Sequence, residues 1–222
     1  MKRRSLPVAA ALVATAALLL TACGGADGES TSKDNDKVAG ADTGSETSAS
    51  PTASASASAA SADRPKIELP SDLTYTFDWP KTGNKDKDAV LADSEQFIKA
   101  VDMAIAKQNP LDKAYQFYSE GEAAAGSQKF IQEFVDYRDR ITGAKQYFDA
   151  KVNVNSDGTA GLVYCEDQSK AYNKSLTTGK TNVTAASKNS YVLYSSRLRG
   201  DEHGIWITET LTSQRGSSVC QS

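Results

Sequence analysis

GAKQYFDAKVNVNSDGTAGLVYCEDQS, residues 143–169, decides the fold class. Upstream of Gly143 apolar residues recur with a helical period. Downstream the period becomes two: Phe148, Ala150, Val152 and Val154 alternate with Tyr147, Asp149, Lys151 and Asn153. Asn155-Ser156-Asp157-Gly158 carries hairpin-turn chemistry, and TAGLVYCEDQS is the returning strand. Residues 169–189 are polar and are expected to be a loop. A second hairpin follows, YVLYSSRLR and IWITETLTSQR, joined across Gly200-Asp201-Glu202-His203-Gly204. The sheet is therefore expected to have about four antiparallel strands.

Working back from Gly143, DKDAVLADSEQFIKAVDMAIAKQ (86–108) is the clearest helix. It places Val90, Leu91, Phe97, Ile98, Val101 and Ile105 on one face, with Ser94 between them. Asp86 and Asp88 suit its positive N-terminal end. Asn109-Pro110 offers a cap and a first-turn proline to a short second helix carrying Leu111, Ala114, Tyr115 and Tyr118. Gly121 is read as an interruption. Ser127 is read as the cap of a third helix, with Phe130, Ile131, Phe134, Val135 and Ile141 as its stripe and Gly143 as its end. Ahead of the first helix, IELPSDLTYTFDWP (67–80) looks extended and is expected to be a leading arm or edge strand. Two to three helices followed by a sheet make an α+β domain over 67–222.

The chain begins differently. Lys2, Arg3 and Arg4 form a positive head, and Leu6 to Leu20 are apolar but for Pro7 and Thr15, a run too short for a typical membrane span. Leu20-Thr21-Ala22-Cys23 then resembles the lipobox of bacterial lipoprotein signal peptides. The resemblance implies a signal peptide over 1–22, cleavage before Cys23 and lipidation of its thiol. Two or more acyl chains hold a protein durably to a bilayer where one does not. From Gly24 to about residue 66 large apolar side chains are almost absent, so the segment cannot offset its own ordering entropy. Residues 23–66 are thus a lipidated end and a Ser/Ala/Thr/Gly/Asp-rich tether, spanning roughly 35–40 Å as a flexible coil. Such spacers resemble those of lipoproteins from high-GC Gram-positive bacteria. The implied location is the extracytoplasmic face of the cell membrane.

With Cys23 assigned to lipid, Cys165 and Cys220 remain as an even pair in an exported chain, expected to form a structural disulfide. The loop it closes is worth about 4 kcal/mol in the chain-entropy picture.

The order of elements, the long opening helix and the Trp206 strand after a tight turn resemble the nuclear transport factor 2-like superfamily. That superfamily includes the SnoaL-like cyclases and ketosteroid isomerase. The resemblance covers about 85–216 and implies helices packed in the concave side of a curled sheet, a cone with a pocket. One departure is the absence of a first hairpin between the second and third helices. Enzymes of this superfamily use a pocket Asp, His or Tyr as acid or base. No position here matches such a motif, so no catalytic residue is carried over.

Composition narrows the function classes. The formal charge is −3, and loss of the first 22 residues leaves it near −6, with no basic block. That disfavours nucleic acid as a partner. A single histidine excludes His-rich metal sites and makes a Ser-His-Asp triad improbable. No cofactor is expected. Gly179-Lys180-Thr181 lacks the upstream glycine of a phosphate loop, since Lys174 stands there. Asn153, Asn155, Asp157 and Gly158 resemble the opening of a calcium loop, but Tyr164 occupies the position of its bidentate Glu, so the hairpin reading prevails. His203 is expected in solvent.

Glu209 breaks an apolar strand face between Ile207 and Leu211. If 199 pairs with 205, Arg197 lies diagonal to it. The two are read as an ion pair at a sheet rim, with a desolvated base as the alternative. Tyr164, Tyr191, Tyr194 and Trp206 are candidates to line a ligand pocket, the alternative being core and cross-strand packing.

Three functions compete. The first is a non-catalytic binding or accessory module on a lipid anchor, its partner a protein, a wall polymer or a small molecule. The second is a small pocket enzyme of the cyclase or isomerase type with a buried carboxylate. The third, a transporter's solute-binding subunit, needs more chain than the folded part supplies. A closed, apolar-filled cone would sink the second reading; an open cavity holding a buried carboxylate would raise it.

Overall fold

A computed structural model describes residues 64–221. The expected signal peptide, Cys23 and nearly all of the expected tether lie outside the described residues. Strand β1 (Leu73–Phe77) leads into helix α1 (Lys85–Ala106), a short α2 (Lys113–Phe117) and α3 (Gly121–Tyr137). Then come β2 (Asp139–Val154), β3 (Thr159–Ser175), the two-residue β4 (Thr181–Asn182), β5 (Tyr191–Gly200) and β6 (Trp206–Arg215). The sheet order is β1-β2-β3-β5-β6, with β4 on β3. The α+β class and both hairpins are as expected. The sheet is larger than expected and mixed, because β1 pairs parallel with β2. Arg140 and Lys174 fix the entry to β1 by holding the carboxylate of Asp72, whose pKa their hydrogen bonds push far below the usual range.

The helix boundaries differ in instructive ways. Helix α1 begins just ahead of the expected residue 86: Asn84 caps it by accepting from the backbone N–H groups of Asp86 and Lys87, and Asp86 and Asp88 stand in its first turn as expected. Asp112 caps α2, so Asn109 and Pro110 sit in the preceding turn rather than starting the helix. Helix α3 begins at Gly121, and Ser127 is a buried residue inside it. It ends at Tyr137 with Arg138 in the left-handed conformation (φ 52°), so Ile141 belongs to β2. Residues 169–175 continue β3 instead of forming a loop.

Two apolar clusters form the core. One gathers Phe97, Met103, Ile105, Tyr115, Tyr118 and Ile131 where the three helices meet. The other sets Val90, Leu91 and Ile98 of α1 against Tyr147, Leu162, Tyr164, Leu198 and Trp206 of the sheet. Buried Asp93 of α1 joins three segments: its carboxylate accepts from the backbone N–H of Trp206 (2.8 Å) and is ion-paired with Arg64. Contact with the domain thus starts no later than Arg64, which composition alone groups with the tether. On the opposite face of β3 from Tyr164, Cys165 is bonded to Cys220, with Cα atoms 5.5 Å apart, which brings the C-terminal turn over the sheet.

Candidate functional site

A cavity of about 910 Å³ opens between the helices and the sheet. Phe97, Ile98 and Val101 of α1 and Phe130 and Phe134 of α3 give it apolar walls, while strands β2, β3, β5 and β6 give the opposite side. Its floor is polar. The Lys145 ammonium lies 2.9 Å from Asp102 Oδ2 and 3.2 Å from Glu166 Oε1, and all three residues are buried. Tyr75 donates to Asp102 Oδ2 (2.7 Å), Tyr147 to Glu166 Oε1 (3.0 Å) and Tyr194 to Glu166 Oε2 (2.9 Å).

Backbone irregularities aim these groups. Lys145 sits between the pairs Ala144–Lys170 and Gln146–Asp167, a register shift that leaves it without a partner in β3. Such bulges re-aim side chains. Across β1 it stands directly opposite Tyr75, and two residues on, Tyr147 points the same way. Asp149 then adopts φ 52° inside a second shift, between Phe148 and Lys151. The inward phase therefore passes from Lys145 and Tyr147 to Ala150, and Phe148 does not share the face of Ala150. On β3 the period of two carries Leu162, Tyr164 and Glu166 inward. Asp102 comes from the apolar stripe of α1, four residues after Ile98 and three before Ile105.

Burial opposes the Lys145 charge, but the carboxylates of Asp102 and Glu166 outweigh it and hold the ammonium well above the ordinary lysine pKa. Burial, reinforced by the Glu166 charge, pushes Tyr147 and Tyr194 far above the usual phenol value; burial and Asp102 do the same for Tyr75. The phenols therefore remain donors to the carboxylates. Tyr164, stacked on Tyr194 with ring centroids 5.1 Å apart, is raised likewise by burial.

Of the residues singled out in the sequence, Tyr164 and Tyr194 line the cavity. Tyr191 and Trp206 do not: Tyr191 stands half-buried at the start of β5, and Trp206 packs in the core beside Val90 and Leu91. Glu209 is away from the cavity too. It is the extra residue of a bulge in β6, between the pairs Leu198–Thr208 and Arg197–Thr210; on the turn side of that bulge the assumed pairing of 199 with 205 gives way to Arg199 with Ile207, because the turn closes on Gly200–Trp206. Its carboxylate meets Arg197 and Arg199, each at 3.4 Å, and Arg197 is 62 % exposed. That is the rim ion pair, not a desolvated base. His203 is exposed in its turn, and the Asn155–Gly158 segment closes the β2–β3 hairpin. Among the described residues no group of three His, Cys, Asp or Glu side chains is placed to hold a metal ion. Sequence reasoning missed Asp102, Lys145 and Glu166. Asp102 alone was visible, as a carboxylate inside an apolar helical stripe.

No family model matches the chain, and no curated protein matches it in sequence. Among solved structures it is similar to a ketosteroid isomerase-like protein from Erwinia carotovora atroseptica, at 11% identity and TM-score 0.40, over 60% of this chain and 98% of that one. It is similar to the intermembrane space region of the chloroplast protein ARC6, at 11% identity and TM-score 0.39, over 60% and 98%. It is also similar to the association domain of C. elegans CaMKII, at 12% identity and TM-score 0.35, over 59% and 99%. At these TM-scores and identities the likenesses transfer neither family nor activity to this chain.

Proposed function

We propose that the chain is a lipid-anchored extracytoplasmic protein whose α+β domain is a non-catalytic module binding a small molecule in the cavity. The observation that carries this reading is an open cavity of about 910 Å³ whose deepest carboxylate pair shares the Lys145 ammonium, with both oxygens of Glu166 engaged within the protein. Pockets of such size, apolar with a few convergent polar groups, suit drug-sized ligands. A general base needs a lone pair free to take a proton in reach of substrate. Both Glu166 oxygens instead accept from Tyr147, Tyr194 and the Lys145 ammonium. The test is native mass spectrometry of the full chain extracted from membranes in mild detergent. A retained small molecule, released on unfolding and absent from Gly126→Trp, which fills the cavity wall, is the expected result. Identical spectra for the two proteins would overturn it. For the anchor, Cys23→Ala should release the protein or leave it unprocessed, and a variant still cut and membrane-bound would refute lipidation.

One observation favours the pocket-enzyme reading: Asp102 and Glu166 are buried carboxylates beside open space. It requires that Glu166→Gln abolish turnover of a bound compound without abolishing its binding.

A further inference from the structure

The charges of the cavity do not balance. One ammonium, that of Lys145, serves two buried carboxylates at the floor. Asp102 is only 3% exposed and lines the cavity. Its Oδ2 takes both Tyr75 and Lys145, while among the described residues nothing donates to its Oδ1. Nearer the opening, Glu122 and Glu133 of α3 and Asp139 of β2 line the same space. The other cation there, Arg215, donates to the neutral backbone carbonyl of Asn189 at 2.9 Å and keeps its charge, which still leaves two cations against five carboxylates in the lining. Acidic walls around low-dielectric space focus a negative potential inward, and a buried carboxylate short of a counter-charge is costly until one arrives. Phe97, Phe130 and Phe134 meanwhile favour an apolar body.

We propose that the cavity takes an apolar molecule bearing an ammonium group, its cation seated on Asp102 Oδ1 and its body against the α1 and α3 phenylalanines. The ammonium completes the charge of the floor, and an anionic counterpart of equal size is disfavoured. This rests on the binding reading above and adds the ligand's chemistry to it.

Three matched probes test it by calorimetry on the full chain in neutral detergent: naphthylmethylammonium, the uncharged naphthylmethanol and the anionic naphthylacetate. The ammonium should bind about tenfold or more tightly than the acetate, with the alcohol between them. Asp102→Asn, which keeps an acceptor for Tyr75, should erase most of that preference. Because a floor variant can fail to fold, the exposed pair Glu122→Gln/Glu133→Gln provides a second reading and should narrow the preference. Equal affinity for all three probes overturns the cationic-ligand inference and leaves the pocket reading standing. Binding of none overturns the pocket reading itself. An undiminished preference in folded Asp102→Asn removes Asp102 as the seat.

Discussion

Lys145 is held between partners that arrive from different parts of the chain, with Asp102 43 residues before it and Glu166 21 after. Its removal would leave two buried carboxylates with no ion-pair partner. Lys145→Met should therefore destabilise the domain by about 3–5 kcal/mol in chemical denaturation. Adding Asp102→Asn and Glu166→Gln should recover part of that loss, since a neutral floor no longer demands a cation. If Lys145→Met alone cost nothing, the floor would not be a charged unit. The same groups set the alkaline limb of stability. Lys145, Tyr75, Tyr147 and Tyr194 all have folded pKa values raised above their unfolded ones. As pH climbs past about 10, the unfolded chain gives up these protons first. Their contribution is thus complete below that pH and disappears above it. Ultraviolet titration should find part of the tyrosine signal missing until the domain unfolds, and full ionisation with the fold intact would contradict this.

Strand β2 shows what an element can hide. Its first half is entered through Gly143 (φ +99°), where an added Cβ would lie 2.1 Å from the carbonyl oxygen of Lys170. Gly143→Ala should cost about 3 kcal/mol or more, because the backbone must move or the strained conformation must carry a side chain. Gly161→Ala in β3 is the control: its Cβ meets nothing within 4 Å, and stability should change by about 0.5 kcal/mol or less. Melting temperatures of the two variants decide between them, and equal shifts would contradict the close approach at Gly143. A period of two was legible along 150–154, and the structure keeps it there. It failed at Phe148 because Asp149 inserts a residue and resets the phase, a step that polar and apolar spacing do not record. The same blindness hid Lys145, which in a regular strand would have read as one more solvated lysine. In the last hairpin the turn closing on Gly200–Trp206 displaced the assumed register, and the bulge at Glu209 shifted it once more.

At the scale of the molecule, the ends of the described chain are both tied down. Arg64 is bound to buried Asp93 near one end, and Cys220 to Cys165 at the other. The disulfide closes a separation of 55 residues spanning β3 through β6. Replacing both cysteines by alanine should lower stability by about 2–5 kcal/mol. Reductant should bring the unsubstituted protein to the same denaturation midpoint, and a reductant-insensitive midpoint would argue against the bond.

The α+β order, the two hairpins and the pairing of Cys165 with Cys220 were all determined by the amino-acid sequence, because each rests on local periodicity, turn chemistry or counting. The lipidated end at Cys23 is a sequence expectation of the same local kind, awaiting its own test. Only the tertiary structure decided that Asp102, Lys145 and Glu166 form one charged floor and that open space lies above it. The sign and number of charges at a point depend on which distant strands meet there. Here a bulge in β3 opposite Lys145, a bulge in β2 at Asp149 and the face of α1 make that choice, through contacts no single stretch of sequence contains.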